Sequence, residues 1–191
     1  ELCKEYAFND VKAKQLLSEA GYPDGKGLPT LSFQYSDTAA NKVIAEYLQA
    51  QMKDNLGITI KLEPMEPKSF SQTVNQGKHT WAWFGWGADY PDPDNWLPEM
   101  FGTGAGNNHT LYSSKEFDDL AKQAAAEPDA AKRLELWKKS HAVIVKDAPV
   151  AFMFYRERFL LKKPNLRDFI TTSMDGRVAG DFFYTNTYLV E

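Results

Sequence analysis

The order of apolar and polar residues in the first third of the chain predicts helix, strand, helix and strand in turn. Apolar residues recur at helical spacing after Asn9, and again after Asp37 or Thr38, which are the candidate N-caps. The segments 31–35 and 58–62 alternate apolar and polar residues, as half-buried strands do. A strand, a helix and a strand joined by short connections favour a parallel crossover unit.

The apolar stripes of these two helices name the residues expected to face a core, and a glycine follows each stripe as a stop signal. Residues 22–27 form a turn by composition. The predicted inward positions are Val11, Ala13, Leu16, Leu17 and Ala20 before Gly21, and Val43, Ile44, Tyr47, Leu48, Met52 and Leu56 before Gly57.

The middle of the chain predicts a short helix, an aromatic strand and a long acidic loop. Pro67 is suited to the first turn of a helix that reaches Gly77. The segment 79–86 is rich in tryptophan and is interpreted as a buried strand. Residues 87–95 carry glycine, proline and aspartate and are therefore a loop at the end of that strand. A short helix is expected over 98–100.

The last third predicts two helices and then further strands. Ser113 and Glu116 form a capping box for the first helix, and Asp129 caps the second, which Pro149 ends. The inward stripe of the second helix is Leu134, Trp137, His141, Ile144 and Val145. We expect a buried strand over 150–155, a pairing segment over 159–161 and a final strand within 182–190.

Composition narrows the class of protein. The chain has 191 residues, 43% of them hydrophobic, which is enough for a substantial core. The formal net charge of −4 argues against a nucleic-acid binder, which would normally carry a basic face. No apolar run approaches the roughly eighteen residues of a membrane helix, and the first residues lack the pattern of a signal peptide. Cys3 is the single cysteine, so an internal disulfide is excluded and its presence is interpreted as incidental.

The loop that follows the aromatic strand is the strongest candidate site. In open α/β sheets, ligands bind at loops that leave the carboxyl ends of strands. Gly87 and Ala88 carry small side chains and offer backbone groups to a ligand, and Asp89 places a carboxylate beside the indole of Trp86. A carboxylate next to apolar walls is a good partner for an amine. The alternative is an Asx turn with its aromatic residues packed in the core.

Other chemistry is poorly matched. An EF-hand calcium loop has a ligand spacing that is not followed by Asp89, Asp92, Asp94 and Asn95. The histidines at 79, 109 and 141 show no zinc-binding spacing. A hydrolase that uses Asp89, Asp92 and Asp94 as acid and base stays an alternative, although no nucleophile pattern accompanies them. We therefore expect no cofactor, no metal and no enzymatic activity.

Several stretches stand out, in order, over nearly the whole chain. They are the helix at 14–22 that ends in Ala-Gly-Tyr, the Trp-x-x-Asp-x-x-Asp-Pro loop at 86–93, Asn107-Asn108 with Tyr112 and the Phe-Asp-x-Leu at 117–120, and Lys132-Arg133 with the Ala-Pro-Val at 148–150. Together these stretches resemble the family 5 extracellular solute-binding proteins, the receptors of dipeptide and oligopeptide ABC importers.

The resemblance implies an α/β fold: one lobe of a type II periplasmic-binding-protein-like receptor, with a mixed, mostly parallel sheet flanked by helices. Residues 1–175 would form the C-terminal ligand-binding lobe. Residues 176–191 would form a tail strand that returns to the N-terminal lobe of a longer protein. The implied partners are a small peptide, that N-terminal lobe and ABC permease subunits in the membrane, and no nucleic acid. The implied location is periplasmic or extracellular, with a lipoprotein anchor.

The resemblance also implies roles for individual residues. Asp89 would bind the peptide α-ammonium, Trp86 would form a wall, and Gly87 and Ala88 would lend backbone hydrogen bonds. Dipeptide-type members tend to carry an arginine after the strand at 31–35, where this chain has Gln34-Tyr35-Ser36. Oligopeptides are therefore expected to fit better than strict dipeptides. Tyr35, which stands in this segment, joins the four loop residues as a fifth candidate for contact with the ligand. A ligand of another kind, such as a metal chelate, haem or a sugar, is the alternative.

Overall fold

The computed structural model describes residues 7–155, 161–169 and 186–190, which fall into two compact units. The first unit is Glu1–Gly85 and the second is Trp86–Glu191. The predicted boundary at residue 175, Cys3 and the segments 159–160 and 182–185 lie outside the described residues. Each unit is described by itself.

The first unit is a crossover unit with three parallel strands. The helices are α1 (Asp10–Glu19), α2 (Ala39–Leu56) and α3 (Pro67–Asn75), and the strands are β1 (Leu31–Ser36), β2 (Ile60–Met65) and β3 (Trp81–Ala82). The strand order is β2-β1-β3, and Phe33 of β1 lies opposite Leu62 and Trp81. The predicted strand–helix–strand unit is confirmed.

Local hydrogen bonds start the helices where the sequence predicts. The side chain of Asn9 accepts the N–H of Lys12 at 2.9 Å, and that of Thr38 accepts the N–H of Asn41 at 3.2 Å. Each bond satisfies a backbone donor that has no partner inside its helix. Of the two predicted caps for α2, Thr38 is therefore the one used.

The core of the first unit lies on the α2 side of β1 and β2. Its buried members are Phe33, Tyr35, Ala45, Ile58 and Ile60. Ile44, Leu48, Met52 and Leu56 are half-buried, as their predicted inward positions suggested. Two predicted core positions of α2 are wrong, because Val43 is 65% exposed and Tyr47 is 61% exposed. Ala45, on a neighbouring face of the helix, is the fully buried residue instead.

The predicted stripe of α1 is also wrong at three positions, since Val11 is 72% exposed, Leu16 is 52% exposed and Ala20 is exposed as well. Within the described residues of α1, none is fully buried. Leu17 packs against the core of the first unit as a partly buried residue. The apolar spacing therefore located this helix but overstated how much of it is covered.

The aromatic segment 79–86 is not the long buried strand that its composition predicts. Strand pairing is limited to Trp81 and Ala82, both half-buried, and Trp83 adds one bond from its N–H to the Gln34 carbonyl at 2.8 Å. Phe84 is 42% exposed. Within the described part of the sheet, β3 is a short edge strand with β1 as its neighbour.

The second unit is mainly helical. It holds α4 (Leu97–Phe101), α5 (Lys115–Ala126), α6 (Ala130–Asp147) and the short antiparallel pair β4 (Leu166–Arg167) and β5 (Tyr188–Leu189). The predicted short helix and two long helices are thereby confirmed. The buried core joins α4, α5 and α6 and consists of Leu97, Phe101, Phe117, Ala121, Ala124, Trp137, Val143 and Ile144.

Three predictions for the second unit need correction. The cap of α5 is Ser114, whose hydroxyl accepts the N–H of Phe117, whereas Ser113 lies within 3.0 Å of the Thr103 hydroxyl. Leu134 is 49% exposed, so it lies off the buried face of α6. Residues 150–155 form no strand, and Tyr155 is 94% exposed, because no strand lies beside them in the described ranges.

The predicted cap of α6 is confirmed, and the predicted final strand is present in part. The Asp129 carboxylate accepts the N–H of Lys132 at 2.9 Å. The last described strand, β5, pairs with β4 within the second unit. Among the described helices, none combines the length and the apolar character needed to cross a membrane.

Candidate ligand-binding loop

The loop at 86–95 opens the second unit and ends in a short 3-10 turn, Pro93–Asn95. Asp92 caps this turn, since its Oδ1 accepts the N–H of Asp94 at 3.1 Å. The Asp92 carbonyl also accepts the N–H of Asn95 at 3.2 Å. An Asx turn of this kind is typical of aspartate before proline. Both interpretations of the sequence therefore have a basis here, because the loop contains an Asx turn and still carries an exposed carboxylate.

Asn95 holds two of the candidate residues at once. It is 5% exposed. Its Oδ1 accepts the backbone N–H of Asp89 at 2.8 Å, and its carbonyl oxygen accepts the indole N–H of Trp86 at 2.9 Å. A buried amide oxygen and a buried carbonyl both need hydrogen-bond donors. The loop thus closes on itself around this one side chain.

Asp92 forms a two-pronged ion pair with Arg133 of α6. The guanidinium donates from Nη1 to Oδ2 at 2.7 Å and from Nη2 to Oδ1 at 2.8 Å. Arg133 also lies over the ring of Trp137, 5.6 Å from its centroid. The hydrogen bonds from Arg133 hold the pKa of Asp92 below its ordinary value, and Asp92 raises the pKa of Arg133 in return. The Asp92 carboxylate is therefore charged and is already bound by Arg133.

Asp94 is also used inside the loop. Its hydrogen bond with Tyr90 is the main cause that raises the pKa of the Tyr90 hydroxyl. The Oδ1 atom of Asp94 is buried and has no hydrogen-bond partner among the described residues. Asp94 is therefore half-buried, with one of its two carboxylate oxygens shielded from solvent.

Asp89 differs from the other two aspartates of the loop. The residue is exposed. Its backbone N–H is held by Asn95, while its carboxylate makes no hydrogen bond or ion pair with any residue that the structure describes. Gly87 lies beside open space, since an added Cβ would meet no heavy atom within 4 Å. Trp86 and Ala88 are half-buried. One loop, held by the hydrogen bonds to Asn95, thus carries Trp86, Gly87, Ala88 and Asp89.

Tyr35, the fifth predicted contact, lies in the first unit. It is 3% exposed and belongs to the core beside Phe33. Burial is the main cause that raises the pKa of its hydroxyl. The structure gives Tyr35 a packing role, and its role as a ligand contact stays a prediction.

Gln34, the residue before Tyr35, belongs to a hydrogen-bonded network of polar side chains on β1 and β2. The side chains of Gln34, Ser32 and Lys61 all donate to the Glu63 carboxylate, at 3.2, 3.0 and 2.8 Å. These bonds hold the pKa of Glu63 below its ordinary value, and the bond from Lys61 has the largest effect. Gln34 therefore stands in a network that already contains a charged carboxylate.

Two functional features were missed by sequence reasoning. The sequence named Asn95 as a possible calcium ligand, whereas it is the internal hydrogen-bond centre of the loop. Lys132-Arg133 entered only through the family resemblance, and the contact of Arg133 with Asp92 was not predicted. No local signal pointed to this contact, because an arginine on a helix can keep its charged group in water.

The described residues give no support for a metal site or for a functional role of His141. Within the described ranges, no three histidine, cysteine, aspartate or glutamate side chains converge in a way that could hold a metal ion. His141 is half-buried on α6, with its ring 6.2 Å from that of Phe152. Burial lowers the pKa of His141, which fits the packing role expected from its place on an apolar stripe.

The chain belongs to the bacterial extracellular solute-binding proteins, family 5, because the model of the family's middle region matches residues 3–108. It is 30% identical over 185 residues to the oligopeptide-binding protein OppA of Bacillus subtilis, covering 94% of this chain and 33% of that protein. It is 34% identical over 153 residues to the periplasmic oligopeptide-binding protein OppA of Salmonella typhimurium, covering 80% of this chain and 28% of that protein. The chain thus spans about a third of the length of these relatives.

Solved structures show the same fold. OppA of Burkholderia pseudomallei matches with a TM-score of 0.80 and 26% identity, over 95% of this chain and 35% of that one. A periplasmic oligopeptide-binding protein of Borrelia burgdorferi matches with a TM-score of 0.70 and 35% identity, over 74% of this chain and 29% of that one. The predicted fold class, a type II periplasmic-binding-protein-like α/β fold, is confirmed.

Proposed function

We propose that this chain is the peptide-gripping part of a solute-binding receptor for an ABC importer, and that Asp89 binds the α-ammonium of the peptide. One observation carries the proposal. Of the three aspartates in the loop, Asp92 is paired with Arg133 and Asp94 is half-buried, whereas the exposed Asp89 carboxylate has no partner within the described residues. The carboxylate that the family resemblance assigns to the ligand is the one left available for it.

The chemistry of the ammonium suits this arrangement. An α-amino group has a pKa of about 7.7–8.0 and is mostly charged at neutral pH. A hydrogen bond to a charged group contributes roughly 1.5–3 kcal/mol. Micromolar affinity needs about 8 kcal/mol in total. Asp89 alone is therefore insufficient, and we propose that a second lobe of a longer protein supplies the remaining contacts. This chain by itself is expected to bind peptides weakly or not at all.

Peptides longer than two residues suit the chain better than strict dipeptides. Gln34 is uncharged, and its amide already donates to Glu63 at 3.2 Å. A ligand carboxylate near this position would be repelled by the charge of Glu63. Both oligopeptide-binding and dipeptide-binding proteins are among the relatives, so their names leave the length open. The proposal of an oligopeptide ligand rests on these side chains.

The proposed location and the proposed permease partners follow from the proposed role as a receptor of an ABC importer. The receptor would work outside the cytoplasmic membrane, in the periplasm or as an anchored lipoprotein, and would deliver peptide to ABC permease subunits. Catalysis by the aspartates is disfavoured, because the ion pair with Arg133 keeps Asp92 ionised and occupied. A general acid would instead need a raised pKa.

Calorimetry on the two-lobed protein tests the proposal. A tripeptide, its N-acetylated form and a free sugar are titrated into the wild-type protein and into Asp89→Asn. We expect acetylation to weaken wild-type binding by roughly 10- to 100-fold, and Asp89→Asn to bind the two peptides nearly alike. Asp54→Asn, an exposed aspartate on α2, is the matched control and should bind like wild type.

Two results would contradict the proposal. If acetylation leaves the wild-type affinity unchanged, Asp89 does not hold an ammonium. If the sugar binds and the tripeptide does not, the receptor takes a non-peptide ligand. Unfolding of Asp89→Asn, measured by circular dichroism, would instead give Asp89 a structural role.

A further inference from the structure

Asn95 is a buried polar residue that touches the candidate site without facing solvent. It is 5% exposed, and its Oδ1 accepts the N–H of Asp89 at 2.8 Å. Asp89 has no other described hydrogen bond that would orient it. Among the described residues, this one acceptor therefore holds the backbone from which the Asp89 carboxylate extends.

The same residue orients Trp86 through a different atom. The indole N–H of Trp86 donates to the backbone carbonyl of Asn95 at 2.9 Å. A change of the Asn95 side chain leaves this carbonyl in place. The two functions of Asn95 can therefore be separated by mutation: the side chain positions Asp89, and the backbone positions Trp86.

Asn95 is itself held from behind. Its N–H donates to the carbonyl of Asp92 at 3.2 Å, and the Asp92 carboxylate is held by both prongs of Arg133. A chain of contacts thus runs from α6 through Arg133, Asp92 and Asn95 to Asp89. Charged two-pronged pairs of this kind have a defined geometry, and a site works best when the supporting residues are themselves locked.

We infer that Asn95 is a positioning residue for ligand binding, which fixes the Asp89 backbone so that its carboxylate is presented ready to meet a cationic amine. The inference rests on the proposed function and adds a residue that acts through Asp89 and does not touch the ligand. Without the Oδ1 acceptor, the Asp89 segment samples other directions, and the binding-competent fraction falls.

The test compares the affinity of a tripeptide with that of its N-acetylated form in the full-length protein, by calorimetry. The wild-type ratio tests the proposed function alone. Given a wild-type ratio of roughly 10- to 100-fold, Asn95→Ala should reduce the ratio to within about threefold of one. Binding of the acetylated peptide should change little.

Asn108→Ala is the matched control. Asn108 lies in the same unit, is 7% exposed, and its Nδ2 donates to the carbonyls of Gly102 and Tyr112 at 2.9 and 2.8 Å. Its loss should destabilise the unit to a similar degree and leave the affinity ratio at the wild-type value. If Asn95→Ala keeps the wild-type ratio, or if both variants lose it together, Asn95 has no specific positioning role.

Hydrogen exchange of the Asp89 amide gives a second reading that needs no variant. The bond to Asn95 should slow this exchange in the ligand-free protein by at least about tenfold relative to an unprotected amide. Exchange at the unprotected rate would overturn the inference, even if Asn95→Ala does not fold. A wild-type ratio near one would overturn the proposed function, and the positioning inference with it.

Discussion

The guanidinium of Arg133 holds both carboxylate oxygens of Asp92, at 2.7 and 2.8 Å, and so joins the candidate loop to helix α6 across 41 residues of sequence. Both side chains are about 30% exposed, at 30% and 29%. The pair is therefore partly shielded from water, which makes it stronger than an ordinary surface ion pair. The placement of the loop on the second unit depends on it.

Replacement of Arg133 should destabilise the second unit. Arg133→Gln leaves the half-buried Asp92 without its guanidinium donors and with the Asp94 N–H alone among the described residues, and we expect the free energy of unfolding to fall by about 1–3 kcal/mol. Lys138→Gln is the control, because it breaks an exposed pair with Glu135 on the same helix. Such a pair contributes less than about 0.5 kcal/mol. Urea unfolding followed by circular dichroism measures both, and equal losses would contradict the role given to Arg133.

The same pair predicts a dependence of stability on pH. The folded state holds the pKa of Asp92 below its ordinary value of 3.8, chiefly through the Arg133 hydrogen bonds. A depressed folded pKa stabilises the protein above the unfolded pKa, and this stabilisation is lost as pH falls through the folded pKa. The difference in unfolding free energy between wild type and Asp92→Asn should therefore be constant from pH 7 to about 5 and shrink below about 4. A difference that grows in acid would refute this.

Gly87 is predicted to matter for binding and not for folding. An added Cβ meets nothing within 4 Å, so Gly87→Ala should leave the unfolding free energy unchanged. If a peptide approaches this backbone, the methyl group should weaken binding by roughly two- to tenfold, the value of one hydrogen bond. Gly85→Ala, which also meets nothing within 4 Å, is the control. Titration calorimetry would count against a backbone contact if both variants bind like wild type.

Gly57 should be the most demanding glycine of the first unit. It ends α2 with φ of +69°, and an added Cβ would overlap the carbonyl oxygen of Asp24. Gly27 has φ of +80° but open space around it. Alanine at Gly27 should cost about 1–2 kcal/mol of stability from backbone strain alone. Alanine at Gly57 should cost a further 1–3 kcal/mol, roughly, from the overlap. Chemical denaturation that finds equal costs would show that Asp24 moves away freely.

Ala148 occupies a position that suits glycine. It caps the C-terminus of α6 with φ of +48°, and its N–H donates to the Ile144 carbonyl. Ala148→Gly relieves the left-handed strain and should raise the unfolding free energy by about 0.5–1 kcal/mol. Ala125→Gly, at an exposed position inside α5, should lower it by about 1 kcal/mol. A thermal melt in which both variants lose stability would contradict the strain at Ala148.

Features controlled by near neighbours could be predicted from the sequence. The caps of α1, α2 and α6 at Asn9, Thr38 and Asp129 each depend on a donor three residues away, so composition was enough. The cap of α5 was missed by one residue, because adjacent serines offer the same hydroxyl and only backbone geometry selects Ser114. The parallel crossover of β1 and β2 followed from the spacing of strands and helix.

Exposure and partner choice were decided by the tertiary structure. Tyr47 and Leu48 both belong to the predicted apolar stripe of α2, yet Tyr47 is 61% exposed and Leu48 packs on the core, because the described sheet covers a narrow face. The three aspartates of the loop look alike in sequence. Only the fold brings Arg133 to Asp92 and leaves the Asp89 carboxylate without a partner among the described residues. The physical reason is distance: local patterns sense interactions over a few residues, whereas this ion pair joins residues 41 positions apart.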